Sequence, residues 1–168
     1  MDLTSFFEWL QDGSVATAIR EGETLFPWIE SAHVLAITFV VGSIAAVDLR
    51  LLGLASRGRP FSQVNGEIVP LTWIAFVIAA VTGGLLFSSK AVQYAANLSF
   101  QLKIALLLLA GINMAVFQLV TFRQIDSWDA ALPPPVRARL AGGFSLLLWI
   151  AIVACGRVIG FTVTEIAN

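Results

Sequence analysis

A glutamate and the single histidine of the chain, Glu30 and His33, stand three residues apart in the stretch WIESAHVLAI (28–37). At this spacing the two side chains share one face of a helix. An imidazole beside a carboxylate suits three kinds of chemistry: axial ligation of haem iron, a hydrogen bond to a quinone, or proton passage, since histidine titrates near neutral pH. Two further ionisable side chains, Lys103 and Arg157, interrupt other apolar stretches. In the redox roles their positive charges would neutralise haem propionates or a semiquinone.

These four residues must be positioned by elements that composition alone places in a membrane. The 168 residues are 58% hydrophobic and only 12% charged, with mean hydropathy +0.85, against roughly 45–50% apolar and about 25% charged in soluble domains. A bilayer-crossing helix needs about 20 mostly apolar residues. Four stretches qualify, at about 28–52, 68–89, 101–122 and 140–164. The expected fold is all-α: a polytopic four-helix bundle over 28–168, preceded by an interfacial amphipathic helix within 1–27, where Phe6, Phe7, Trp9 and Leu10 alternate with acidic residues. Pro27 suits the first turn of the first span. The opening residues lack the positive segment of a signal peptide, so the internal apolar runs are expected to drive insertion.

Arg50, Arg57 and Arg59 follow the first span, and Arg123, Arg137 and Arg139 follow the third. Positive residues mark the cytoplasmic face. The expected location is therefore a bacterial inner membrane, with both termini in the periplasm. At about 1.5 Å of rise per residue, His33 lies roughly 7 Å inside Trp28. Lys103 opens its span from the same side, and Arg157 lies roughly 10–12 Å before the outward end of its own. Glu30, His33, Lys103 and Arg157 are thus expected at one depth, forming a cofactor-binding pocket in the outer leaflet. Ionisable groups at such depth face the bundle interior and mark function.

A second polar set lies toward the arginine-rich side. Asp48 is expected to answer Arg137 or Arg139, or to cap the inner helix end beside Arg50. Asn113 and Gln118 are expected to hydrogen-bond across helices. The small-residue pair Gly156 and Gly160 in GRVIG suits close helix packing, within the bundle or in a homo-oligomer. One cysteine, Cys155, excludes an intrachain disulfide and any CxxC motif. A Cu(I) site would have only Met1, Met114, Cys155 and His33, at different depths. No basic tract points to nucleic acid, and no GxSxG, HExxH, Walker or GxGxxG motif stands in a suitable context.

The stretches ESAHVLAITFVVGSIAAVDLRLLG (30–53), LKIALLLLAGINMAVF (102–117) and SWDAALPPPVRARLAGGFSLLLWIAIVACGRVIGF (127–161) resemble a family of small, uncharacterised bacterial inner-membrane proteins. The chain is more distantly similar to copper-resistance D type membrane proteins and four-helix b-type cytochromes. The resemblance implies a four-span bundle. Glu30, His33, Asp48, Arg50, Lys103, Asn113, Arg139, Trp149, Gly156 and Arg157 fall within the family's characteristic stretches. Where relatives often carry a histidine, this chain has Gln118, which leaves His33 as the only imidazole for an axial haem b bond.

Together these readings point to an accessory or anchor subunit without enzymatic motifs, or a binder of a small ligand. Haem b or a quinone is the favoured ligand, with a periplasmic or membrane redox partner. Transport of a metal ion or protons is the alternative.

Overall fold

The computed structural model describes residues 2–165, all-helical apart from short connections. Met1, a copper ligand considered above, lies outside them. Four helices are long and apolar enough to cross a bilayer. They are α3 (Leu25–Leu51), α4 (Phe61–Ser89), α6 (Leu98–Val116, prolonged by a π turn at Phe117–Thr121 and a 3-10 stretch at Phe122–Ser127) and α7 (Val136–Glu165). Only 6% to 28% of each helix's most apolar window is buried in the protein, so lipid has to cover the remainder. The leader folds as two short helices, α1 (Leu3–Gln11) and α2 (Ser14–Glu21), and a third, α5 (Ala91–Ala96), joins α4 to α6.

The spans do not close an even ring. α3 packs along α4 and α7, and α7 packs along α6, whereas α4 and α6 meet by the stacked rings of Phe87 and Phe100 at the leader end and their backbones stay apart. Glycine sets the α3–α7 crossing. A Cβ on Gly142 would stand 2.9 Å from Leu51 Cβ and 3.0 Å from the Asp48 carbonyl oxygen. Without a hydrophobic drive between helices in lipid, such backbone proximity is what holds a bundle together.

At the arginine-rich end, a cluster of Val47, Leu51, Phe61, Phe117, Trp128 and Ala138 is locked by Arg50, whose side chain is 0% exposed. Its Nε donates to the Arg59 carbonyl at 3.0 Å and one terminal nitrogen donates to the Asp129 carbonyl at 3.1 Å. Asp129 in turn caps α4. Its carboxylate accepts the Ser62 N–H at 2.7 Å and the Ser62 hydroxyl at 2.6 Å, while its carbonyl accepts the Phe61 N–H at 3.0 Å. This remote cap explains why α4 begins at Phe61, earlier than hydropathy suggests. Its first two turns carry Ser62, Gln63, Asn65 and Glu67, polar residues that no lipid-based criterion would count.

At the opposite end the leader sits on the bundle. Arg20 donates to the Gln11 carbonyl at 3.0 Å and to the Ser89 carbonyl at 3.3 Å, Gln11 Oε1 accepts the Val92 N–H at 3.2 Å, and Phe7 meets Phe87 edge-on. Leu3, Phe6 and Trp9 stay exposed, in keeping with a lipid interface. Asn97 caps α6 by accepting the Phe100 N–H, and it donates to Thr162 of α7 at 2.8 Å.

Two outcomes follow. Partial burial pushes the Asp129 carboxyl up, but the Ser62 hydroxyl and N–H bonds and the Arg50 charge outweigh it and hold it below the usual range. A carboxyl depressed on folding stabilises above its unfolded value, near 3.9, and that contribution fades as pH falls through the folded value. Thermal unfolding in detergent is expected to show Asp129→Ala weaker by about 1 kcal/mol at pH 7, the typical worth of a helix cap. Below about pH 4, Asp129→Asn should lack part of the wild-type acid destabilisation. Gly142→Ala should destabilise by about 1–3 kcal/mol, the usual penalty of overpacking, because the contacts it meets on α3 include backbone; an unchanged midpoint would contradict that crossing.

Candidate functional site

Of the four outer residues expected to converge, two are half-buried, His33 and Lys103, and two are exposed, Glu30 and Arg157. His33 is half-buried and turned to α4, with its Nδ1 2.9 Å from Thr82 Oγ1. The Thr82 hydroxyl also lies 2.7 Å from the Ile78 carbonyl, to which it can donate. Lys103, half-buried on α6, brings its ammonium within 4.0 Å of where a Cβ on Gly156 would stand.

Glu30 is exposed, and its charge acts on Tyr94 of α5, where burial first and that charge second push the phenol above its usual value. Arg157 is exposed and lies over the Phe161 ring, 4.6 Å from its centre. The physical reason is helical phase. Successive residues turn by about 100°, so Gly156 facing Lys103 swings Arg157 outward. One turn before His33, Glu30 has reached the helix end, where water is the better solvent for a carboxylate. The four residues therefore do not share a pocket. Of the GRVIG pair, Gly156 faces Lys103, while at Gly160 an added Cβ would meet open space.

His33 packs closely on α4. A Cβ built on Gly83 would lie 2.8 Å from His33 Cε1 and 3.6 Å from Nε2. The Cε1 edge of the ring thus rests on Gly83 while Nδ1 is engaged by Thr82. Among the described residues no group of three or more His, Cys, Asp or Glu side chains could hold a metal ion.

A cavity lies instead between all four spans in the arginine half, with a volume of about 170 Å³. Asp48, which lines it, is 15 residues beyond His33 on α3, roughly 22 Å along the axis. The inner polar set meets here. Asp48 of α3, Thr72 of α4, Asn113 and Gln118 of the third span and Ser145 of α7 all contribute to the wall, beside Trp149. Asn113 also does what was expected of it, donating to the Ala141 carbonyl across the α6–α7 seam at 3.1 Å. Gln118 sits in the π turn, where the Phe122 N–H reaches back five residues to the Phe117 carbonyl. Such wide turns re-aim side chains and recur at functional sites.

Asp48 differs from its expected role. It is 5% exposed, Ser145 is placed to hydrogen-bond it, and its Oδ2 has no partner. No arginine answers it. Ala138 is fully buried against the inner cluster, which turns its neighbours Arg137 and Arg139 out to solvent. Arg50, two residues on and so about 200° round the helix, points instead at the Arg59 and Asp129 carbonyls. Among the described residues the only ion pair is Arg59 with Glu67, at the surface.

The cavity reaches the outside through the gap between α4 and α6. Trp73, Phe76 and Gly111 belong both to its wall and to the exposed surface. A Cβ on Gly111 would meet nothing within 4 Å, so this rim is open on the α6 side.

Adding haem to the detergent-purified protein is expected to give no histidine-ligated Soret band. A band that appears and is then lost in His33→Ala would overturn the geometry assigned to that ring.

No curated protein and no solved structure matches the chain. A family model described as a family of unknown function (DUF6644) matches residues 6–162, nearly the whole length. The protein is a member of that family.

Proposed function

We propose that this multi-pass membrane protein binds a small amphipathic molecule, drawn laterally from the bilayer between α4 and α6, whose head group meets Asp48. The observation that carries the reading is a buried carboxylate oxygen without a partner in the wall of a cavity whose mouth faces lipid. An unpaired polar group in such surroundings is costly unless something satisfies it, and ionisable residues inside membranes mark ligand or ion sites. An apolar wall with a few convergent polar groups is the usual form of a small-molecule site.

An ionised carboxyl oxygen is an acceptor, so a ligand that pairs with the charged form of Asp48 brings a donor. A quinone has only acceptor oxygens, whereas a quinol or another hydroxyl- or ammonium-headed molecule supplies the missing hydrogen. Haem has no part in it, since the one imidazole, His33, packs on α4 outside this cavity. The wider likeness to copper-resistance D type proteins and b-type cytochromes carries no weight in this reading. We place the arginine end in the cytoplasm of an inner membrane. Arg57, Arg59, Arg123, Arg137 and Arg139 are exposed there, as the positive-inside rule favours.

Photolabelling tests the reading. A long-chain alcohol carrying a diazirine beside its hydroxyl, reconstituted with the protein in nanodiscs, is expected to label cavity-wall peptides around Met114 and Phe117. Gly111→Trp, which fills the open rim, should abolish that labelling while leaving the lipid-facing labels. Equal labelling in the variant, or none at the wall, contradicts the reading.

A further inference from the structure

The chemistry of the cavity wall narrows the ligand class. Asp48 brings a buried carboxyl that no basic side chain among the described residues pairs with, and a cation set beside such a group would favour its ionised form. Its nearest basic neighbour in sequence, Arg50, gives Nε and one terminal nitrogen to the Arg59 and Asp129 carbonyls; its other terminal nitrogen is buried without a partner and forms no ion pair with Asp48. A charge left uncompensated in a low-dielectric site is strongly unfavourable, and a partner of opposite sign restores the balance.

The rest of the wall suits a positive partner. Trp73, Phe76, Phe117 and Trp149 line it, with Met114. Aromatic faces attract cations, by about 2 kcal/mol or more where water is excluded. The wall's own donors are partly engaged elsewhere. The Thr72 hydroxyl directs its proton to Ser43 and Ile68, and Asn113 donates to Ala141. Asn65, Gln118 and Ser145 complete the polar part of the wall, and their amide and hydroxyl oxygens can accept from an ammonium.

From this juxtaposition of an unanswered carboxylate and four aromatic rings in a lipid-open cavity, we propose that the ligand is a lipophilic organic cation, an ammonium carried on an apolar body. The inference rests on the binding reading above and adds the sign of the ligand's charge. A volume of about 170 Å³ takes the head group, and the gap between α4 and α6 lets an apolar tail trail into the bilayer.

The test compares two probes of one shape. A decyl chain ending in trimethylammonium is titrated into the full-length protein in nanodiscs, beside its uncharged carbon isostere, decyl joined to tert-butyl. Binding is followed by tryptophan fluorescence, and each probe's partitioning into empty nanodiscs is subtracted. The cation should bind at least tenfold more tightly than the isostere. Asp48→Glu should keep the preference and Asp48→Asn should erase it. Equal affinity of the two probes for the wild type, or a preference that survives Asp48→Asn, overturns the inference and leaves the binding reading intact. If neither probe saturates a site on the protein, both fall.

Discussion

Arg50 is the interaction on which the rest of the structure depends. Lipid gives apolar helices no reason to associate, so the order of this bundle has to come from a few polar contacts and from close backbone approach. Arg50 supplies the first of these at one end. Fully buried, it joins the end of α3 to the carbonyls of Arg59 and Asp129, and Asp129 then caps α4. The end of α3, the loop that follows it and a segment 79 residues on are thereby held at one point. Gly142 supplies the second kind of contact, bringing α7 against the α3 backbone immediately beside Asp48. The leader, through Arg20 and Gln11, draws the other end together.

This arrangement also makes the cavity. With Arg50 turned to the loop carbonyls and Ala138 turned into the inner cluster, no cation is left to face Asp48. With α3 packed on both α4 and α7, and α7 on α6, the remaining seam between α4 and α6 stays open to lipid. The clasp that stabilises the arginine end thus leaves a carboxylate alone a turn away. A stable fold and an unmet acceptor arise from the same packing.

Much of the fold was legible in the residues themselves. Four apolar runs of membrane-spanning length, Pro27 near the first helix start and Asn113 as a link between helices all stand where hydropathy and spacing put them. The start of α4 was hidden because its first turns are polar and are held by Asp129, 67 residues away from Ser62; no local signal encodes that cap. The site was legible only in part. His33 and Lys103 are both turned at least half into the protein, as their place in apolar runs suggests. Glu30 and Arg157 are not, because depth alone leaves open which way a side chain turns. The same ambiguity hid the role of Asp48. Its distance from Arg137 and Arg139 along the bundle is compatible with pairing, and only the burial of Ala138 shows that both arginines face away. Ser145, Thr72 and Gln118 carried no signal beyond being polar in apolar runs; the cavity that unites them belongs to the packing.

The central claim is that Asp48 is a buried carboxyl without a basic partner among the described residues, reached through the lipid-facing gap between α4 and α6. Carbodiimide modification of the protein in nanodiscs, located by peptide mass spectrometry, tests it most directly. A lipid-soluble dicyclohexyl reagent is expected to form an adduct at Asp48, and a water-soluble cationic reagent is expected to leave it untouched while modifying exposed carboxyls such as Glu8 and Asp12. Failure of the lipid-soluble reagent to modify Asp48, or equal modification by both, would contradict the account.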